Sequence, residues 1–327
     1  MADVARLAGV SLKTASRVLN GEPHVADTTA ARVQTAADQL GFRPNVIARE
    51  LRLGARSTAV GLVIGDVANP FYARVARGAE RRLRSEGLQL VTASSDEDPA
   101  AERALTTEML ERRVRALLLV TCLGDHGHLE RERRLGVPVA FLDRPPVGIV
   151  ADVVAIDNEG GARLAAEHLL AGGHRRIGLV GDLSRLATHR ERAAGFGAAM
   201  TAAGVPDWTR LVRADSHDSE AAGRAVHDLL ALPDPPTALF TTNNRITVGA
   251  LRALAGVERP PALVGFDDFD LADVLGVSVV AHSPDDMGRL GAEALVTRLA
   301  GGDAPARTER LPVRLVARGS GERPPAP

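Results

Sequence analysis

Two groups of side chains in this sequence are typed and spaced for recognition chemistry. Leu12, Lys13, Ser16, Arg17 and Asn20 fall on the side of a helical repeat that faces away from Ala15, Val18 and Leu19. An ammonium, a guanidinium, a hydroxyl, an amide and one apolar tip at the start of a helix are what a reader of major-groove base edges needs, and the same face also suits plain solvated surface. The second group is dispersed: residues 66–72, Ser94 and Ser95, Asp143 and Arg144, Asn243 and Asn244, and Asp267 and Asp268 each follow a strand-like apolar run. Carboxylates, carboxamides and arginines can each make two hydrogen bonds to neighbouring hydroxyls, while Phe71 and Tyr72 offer flat apolar faces to a sugar ring. That set suits a small polyol.

Other chemistries find little support. The chain has no Gly-x-Ser-x-Gly elbow, no phosphate-cradling Gly-x4-Gly-Lys and no Gly-x-Gly-x-x-Gly after the first strand, so no enzyme activity and no cofactor are expected. Asp125-His126-Gly127-His128 places two imidazoles in a loop without a further matched ligand, and no metal site is expected. Cys122 is the single cysteine; it cannot form an internal disulfide, and its apolar run from Ala116 predicts a buried strand residue.

The elements that must carry these residues divide the chain. Val4, Leu7 and Ala8, then Ala15, Val18 and Leu19, then Val33, Ala36, Ala37 and Leu40 repeat at helical spacing. Gly9 allows a tight turn between the first two helices, Ser11 is placed to cap the second, Asp27 to cap the third, and Gly41 to end it. Pro44 then breaks the pattern, and Ile47 and Leu51 form one more short amphipathic turn. From Thr58 the pattern changes to strand-like runs at 59–64, 88–92, 116–122, 137–142, 153–156, 176–180, 238–240 and 262–265, separated by stretches with helical spacing. Continuous apolar strands with crossover helices indicate parallel sheets covered on both faces, and a break near 155–158 gives two such units. In doubly wound sheets the ligand site lies at the carboxyl ends of the strands, where the second group of residues falls.

The motifs Asp3-Val4-Ala5-Arg6-Leu7-Ala8-Gly9-Val10-Ser11, Thr14-Ala15-Ser16-Arg17-Val18-Leu19-Asn20-Gly21 and Leu40-Gly41-Phe42-Arg43-Pro44-Asn45 closely resemble the head of the lactose-repressor (LacI/GalR) family of bacterial transcription regulators. The resemblance continues through Asn69-Pro70-Phe71-Tyr72, Asp143-Arg144, Arg190-Glu191-Arg192 and Gly265-Phe266-Asp267-Asp268, over essentially the whole chain. It implies a small all-α helix-turn-helix head on an α/β body of two doubly wound parallel-sheet subdomains, similar to type I periplasmic binding proteins. The implied segments are 1–43 for the head, 44–57 for a hinge helix and linker, and 58–320 for the effector-binding and dimerisation domain. Within that domain the first subdomain takes about 58–157 and 285–308, the second about 158–284 and 309–320, and 321–327 forms a disordered tail.

By the same resemblance, DNA is contacted by Leu12, Lys13, Thr14, Ser16, Arg17 and Asn20, and by Asn45, Ala48 and Leu51 of a hinge whose leucine wedges into the minor groove. The effector positions implied are Asn69, Phe71, Tyr72, Asp143, Arg144, Arg190, Asn243, Asp267 and His282, with Arg192 as a second candidate for the cleft arginine. Asp143 and Arg144 would clamp adjacent hydroxyls and Asp267 would accept from others. The implied function is a repressor of sugar uptake or catabolism genes that a monosaccharide or sugar derivative releases from a pseudo-palindromic operator. A corepressor-dependent regulator answering a purine, nucleoside or other small metabolite is the alternative. Asn244-Arg245 departs from the family pattern and makes the cleft rim more cationic, which favours an anionic effector unless the arginine lies exposed in its loop.

Composition agrees with this division. The net charge of -1 conceals a surplus of three cations in residues 1–56, where eight basic residues face five acidic ones. A basic head on an acidic body suits a polyanion partner. No run of about 18 apolar residues and no signal-peptide stretch is present, which predicts a cytoplasmic chain with no membrane partner. A homodimer through the body, mainly its first subdomain, would pair two heads on one operator. The C-terminal residues lack a leucine heptad, so a coiled-coil tetramer is not expected.

Overall fold

A computed structural model describes residues 1–20, 25–42 and 57–325, which divide into two units, Met1–Ser57 and Thr58–Pro327. In the first unit, α1 (Ala2–Leu7), α2 (Leu12–Leu19) and α3 (Asp27–Gln39) bury Val4, Ala5, Ala8, Ala15, Val33, Ala36 and Ala37 in one small core, edged by Val10, Val18, Leu19 and Phe42. Small residues dominate because three short helices must approach closely to exclude water. Ser11 caps α2 as its position predicts, its Oγ accepting from the Thr14 N–H at 3.1 Å. Gly9 and Gly41 take the left-handed conformation, with φ of 63° and 58°, that the turn and the helix end require. Asp27 is not a cap: α3 begins at Asp27, and Ala26 before it makes no side-chain bond. The aspartate instead places a negative charge in the first turn of the helix. Leu7 and Leu40, read as part of the buried stripes, are 53% and 48% exposed, since Val4, Ala5 and Ala8 already complete the face that a six-residue helix can bury.

The second unit builds two six-stranded sheets. The chain runs through β1 (Ala59–Ile64), α4 (Pro70–Arg84), β2 (Gln89–Ser94), α5 (Pro99–Glu111), β3 (Ala116–Leu119), α6 (Glu130–Arg134), β4 (Val139–Leu142) and β5 (Asp152–Ile156). It then crosses into α7 (Asn158–Ala171), β6 (Ile177–Val180), α8 (Ala187–Ala202), β7 (Val212–Arg213), α9 (Ser219–Leu230), β8 (Ala238–Thr241), α10 (Asn244–Ala253), β9 (Ala262–Phe266) and β10 (Ser278–Ala281). It returns with α11 (Pro284–Leu299) and β11 (Thr308–Leu311), and crosses a third time into β12 (Arg314–Val316). The sheet orders are β11-β5-β4-β3-β1-β2 and β12-β10-β9-β8-β6-β7. Every pairing is parallel except β12 with β10, which is antiparallel.

The central strands are buried along nearly their whole length, as their apolar runs require, whereas the edge strand β2 has no fully buried residue and leaves Val91 47% exposed. Three details differ from the sequence reading. The pairing of Thr308–Leu311 with β5 moves the last crossing to the stretch after Leu311. Cys122 lies beyond the end of β3, half-buried, with its N–H donating to Glu102 Oε2 at 2.6 Å; burial and Glu102 push its thiol up to about 12, which leaves it protonated. Residues 322 and 323 of the tail are pinned to the second subdomain: Glu322 accepts from Ser278 Oγ at 2.9 Å and meets His168, and the Arg323 carbonyl meets His174. Among the described residues no helix is long and apolar enough to cross a membrane.

Candidate functional site

On the head, the structure leaves the predicted reading face of α2 open. Leu12 is 55% exposed, Lys13 is exposed, and Thr14, Ser16, Arg17 and Asn20 are partly exposed. Asn20 Nδ2 donates to Ser16 Oγ at 3.2 Å, one turn away, which holds the two polar groups together. Asn45, Ala48 and Leu51 lie outside the described residues.

In the body, loops from the carboxyl ends of both sheets converge on a cleft. The loop after β4 brings Arg144, 4% exposed, to Glu97 after β2: Nη1 donates to Glu97 Oε2 at 2.6 Å and Nη2 to Oε1 at 2.9 Å. Nη1 also donates to the Thr121 carbonyl at 3.1 Å and Nη2 to the Tyr72 hydroxyl at 3.2 Å. The Tyr72 hydroxyl in turn donates to Glu97 Oε1 at 3.2 Å. Burial opposes the charge on Arg144, but Tyr72 and Glu97 hold its pKa above the ordinary value; burial likewise raises Tyr72, which keeps its proton. A Cβ at Gly65 would fall 2.0 Å from Glu97 Oε1, so only glycine at the end of β1 admits this carboxylate.

From the second sheet come Arg192 on α8, Asp267 after β9 and His282 after β10. Arg192 lies over the Phe266 ring at 3.8 Å, donates from Nη1 to the Thr242 carbonyl, and places Nη2 3.8 Å from Asp267 Oδ1. His282 Nε2 is 2.9 Å from the same oxygen, and its ring meets Phe71 edge-on at 5.7 Å. Asp143 and Asp267 both take left-handed backbone conformations, with φ of 65° and 69°. They differ in electrostatics. Burial outweighs Arg144 and Arg192 at Asp143 and raises its pKa, whereas at Asp267 the burial effect is overcome by Arg192 and His282, which hold it below the usual carboxylate range. Asp143 Oδ1, Arg144 Nε, Asn244 Oδ1 and His282 Nδ1 are buried with no hydrogen-bond partner among the described residues.

Besides the Phe71–His282 ring contact, three polar contacts among the described residues span the cleft. Arg245 pairs with Asp66, Asn244 Nδ2 donates to Asn69 Oδ1 at 2.9 Å, and Arg185 Nη2 donates to the Glu97 carbonyl at 2.5 Å. The Arg245–Asp66 pair cancels the extra rim charge that the sequence suggested.

The structure thus brings Phe71, Tyr72, Asp143, Arg144, Arg192, Asp267 and His282 together. Asn69 and Asn243 stand at the rim and cap α4 and α10, and Asn243 also donates to Asp182 Oδ2 at 2.8 Å. Arg190 is exposed and turns back to the Arg185 carbonyl, which leaves Arg192 as the cleft arginine. Asp268 leaves the group for Arg318, with bonds of 2.8 and 2.7 Å, and Ser94 and Ser95 bond to the carbonyls of Gly65 and Ile64. Sequence reasoning missed Glu97, Asn158 and the Asp182–His217 pair, 2.8 Å apart. Each sits in a short polar run whose partner is remote in sequence, though Glu97 does follow a strand, as the carboxyl-end rule asks. Among the described residues no group of three or more metal-ligating side chains occurs.

Comparison with known proteins agrees with this geometry. Residues 1–45 match the bacterial regulatory proteins of the lacI family, and residues 166–321 match a periplasmic binding protein-like domain. The chain is 32% identical over 333 residues to the ribose operon repressor of Escherichia coli (strain K12), covering 98% of this chain and 99% of that protein. It is 30% identical over 325 residues to the HTH-type transcriptional repressor PurR of Photobacterium profundum, covering 97% of each. Among solved structures, the complex of the transcriptional regulator CelR with cellobiose is 30% identical, with a TM-score of 0.72, covering 97% of this chain and 98% of that one.

Proposed function

The chain belongs to the lacI family of bacterial regulatory proteins, DNA-binding transcriptional regulators, and on that premise we propose that it is a repressor released from its operator by an uncharged monosaccharide bound in the cleft. The observation that carries this reading is the state of the cleft's charged groups. Arg144 is taken by Glu97, Arg192 stands beside Asp267, and Arg245 pairs with Asp66, so these arginines are already neutralised by the chain's own carboxylates. A phosphate or carboxylate substituent would have to break one of these pairs. Asp143 Oδ1, Asn244 Oδ1 and His282 Nδ1, which make no hydrogen bond, suit hydroxyls, which both donate and accept, and Phe71 suits the apolar face of a sugar ring. Sugar-linked relatives support a neutral sugar, since the names of two of those above carry ribose, a monosaccharide, and cellobiose, a disaccharide.

On the head, Lys13, Arg17, Ser16 and Asn20 read base edges, and the hinge positions Asn45, Ala48 and Leu51 act in the minor groove. A single head covers few base pairs, so two copies joined through their bodies would read a two-fold symmetric site. Exposed apolar residues in both subdomains, Val67 and Val91 in the first and Leu271, Val274 and Leu275 in the second, support such self-association.

Calorimetric titration with pentoses, hexoses and their phosphates tests the effector class. A neutral sugar is expected to bind, and Asp267→Asn to weaken it by about tenfold or more through the loss of a charged acceptor. Tighter binding of a sugar phosphate than of any neutral sugar would overturn the reading.

A further inference from the structure

The cleft and the crossings share a chain of three side chains, of which Asn158 and Arg192 are buried and Glu191 is half-buried. Asn158 opens α7, where the chain first passes from one sheet to the other, and is 1% exposed. Its Nδ2 donates to Glu191 Oε2 at 2.8 Å, and its Oδ1 accepts from Arg192 Nε at 2.8 Å. The amide has one workable orientation. Turning it over would set its NH2 against the guanidinium N–H and its carbonyl against the carboxylate, and both bonds would be lost. Arg192 is thereby held on every side: Nε by Asn158, Nη1 by the Thr242 carbonyl, and its flat face by the Phe266 ring. Nη2, 3.8 Å from Asp267, is the arm left for a ligand.

Glu191 also borders the last crossing, lining a surface cavity with Asp157, Arg310, Leu311 and Pro312. The packing at the joint is backbone on backbone. A Cβ on Gly195 of α8 would fall 2.1 Å from the Glu159 carbonyl oxygen, so α8 reaches the crossing only with glycine there.

We propose that Asn158 is a positioning residue of the effector site. It fixes the fork of Arg192 and, with Glu191, ties that arginine to the first of the three crossings, beside the last, so that a contact made at Arg192 is passed to the crossing segments. This rests on the reading of the cleft as the effector site, and the fold supplies the link between that site and the segments that must move when it opens.

The test reverses the polarity of the hydrogen bond between positions 158 and 191 in the full-length protein. Asn158→Asp keeps an acceptor for Arg192 but sets a second carboxylate against Glu191; adding Glu191→Gln restores a donor there. The Arg192 Nε–H gives a proton–nitrogen resonance, assigned by its loss in Arg192→Lys, whose solvent exchange reports the relay without any ligand. Exchange is expected to be about tenfold or more faster in Asn158→Ala and in Glu191→Ala, and to return close to the unmodified rate in the Asn158→Asp/Glu191→Gln double variant. Glu191→Ala, at a half-buried surface position, serves if Asn158→Ala does not fold. Calorimetry with D-ribose on the same proteins should show an affinity loss of about tenfold in the alanine variants, recovered in the double variant. Unchanged exchange in both alanine variants, or a double variant no better than Asn158→Asp alone, would overturn the relay. Absence of sugar binding by the unmodified protein would count against the effector reading, while the exchange rates would still decide the relay.

Discussion

Glu97 organises the cleft, because its two oxygens occupy both Nη atoms of Arg144 and one of them also accepts a hydrogen bond from the Tyr72 hydroxyl. Removing one partner of a buried ion pair leaves an uncompensated charge, which costs about 3–5 kcal/mol. Glu97→Ala is therefore expected to lower unfolding stability by about that amount in urea titration and to abolish sugar binding. A loss below about 1 kcal/mol would mean that water reaches Arg144 and the pair is weak. Asp143 and Arg144 were legible in the sequence because they directly follow an apolar strand. The partner of Arg144 was hidden in the polar run Ser94-Ser95-Asp96-Glu97-Asp98, where any carboxylate reads as loop surface. Asp268 shows the reverse error: adjacent to Asp267 and equally well typed, it is drawn away by Arg318, a partner 50 residues distant that no local pattern announces.

At the scale of elements, helix and strand periodicity located the head and the buried strands because each buries a continuous stripe. Short edge strands escaped. β7 has two residues and β11 reads Thr-Glu-Arg-Leu, so their positions come from sheet pairing alone. Ser11 is a case where local chemistry sufficed, and Ser11→Ala should destabilise the isolated head by about 1 kcal/mol, measured as a lowered thermal midpoint of residues 1–57 or of the head transition in the full chain. The loop after β3 carries a pH response that its sequence did not reveal. His126 Nδ1 accepts from the Val147 N–H at 3.0 Å while Nε2 meets Thr121 Oγ1 at 2.7 Å, and burial lowers the pKa of both His126 and His128. A histidine with a depressed folded pKa contributes stability that is complete above its unfolded value of about 6.5 and is lost as pH falls towards the folded one. Unfolding free energy should accordingly fall with pH below about 6.5, and His126→Gln should reduce that slope. An unchanged slope in the variant would assign the response to other groups.

For the whole molecule, the alternation of apolar strands and helices gave two doubly wound subdomains, and the three passages between them follow from which sheet each returning segment joins. The first passage was legible from the break near Asn158. The last was not, because it depends on pairing of β11 with β5 across more than a hundred residues and of the short β12 with β10, neither of which a local pattern announces. Two subdomains joined by three strands can open and close about the cleft, and an effector shifts that equilibrium only by its difference in affinity for the two states. The most direct measurement is fluorescence anisotropy of the full-length protein on DNA from upstream of its own gene, with salt varied and neutral sugars and purines added. Specific binding is expected that one neutral monosaccharide abolishes, and that persists with the same sugar in the Asp267→Asn variant. Specific binding that appears only when a ligand is added would contradict this expectation and identify a corepressor-dependent regulator instead.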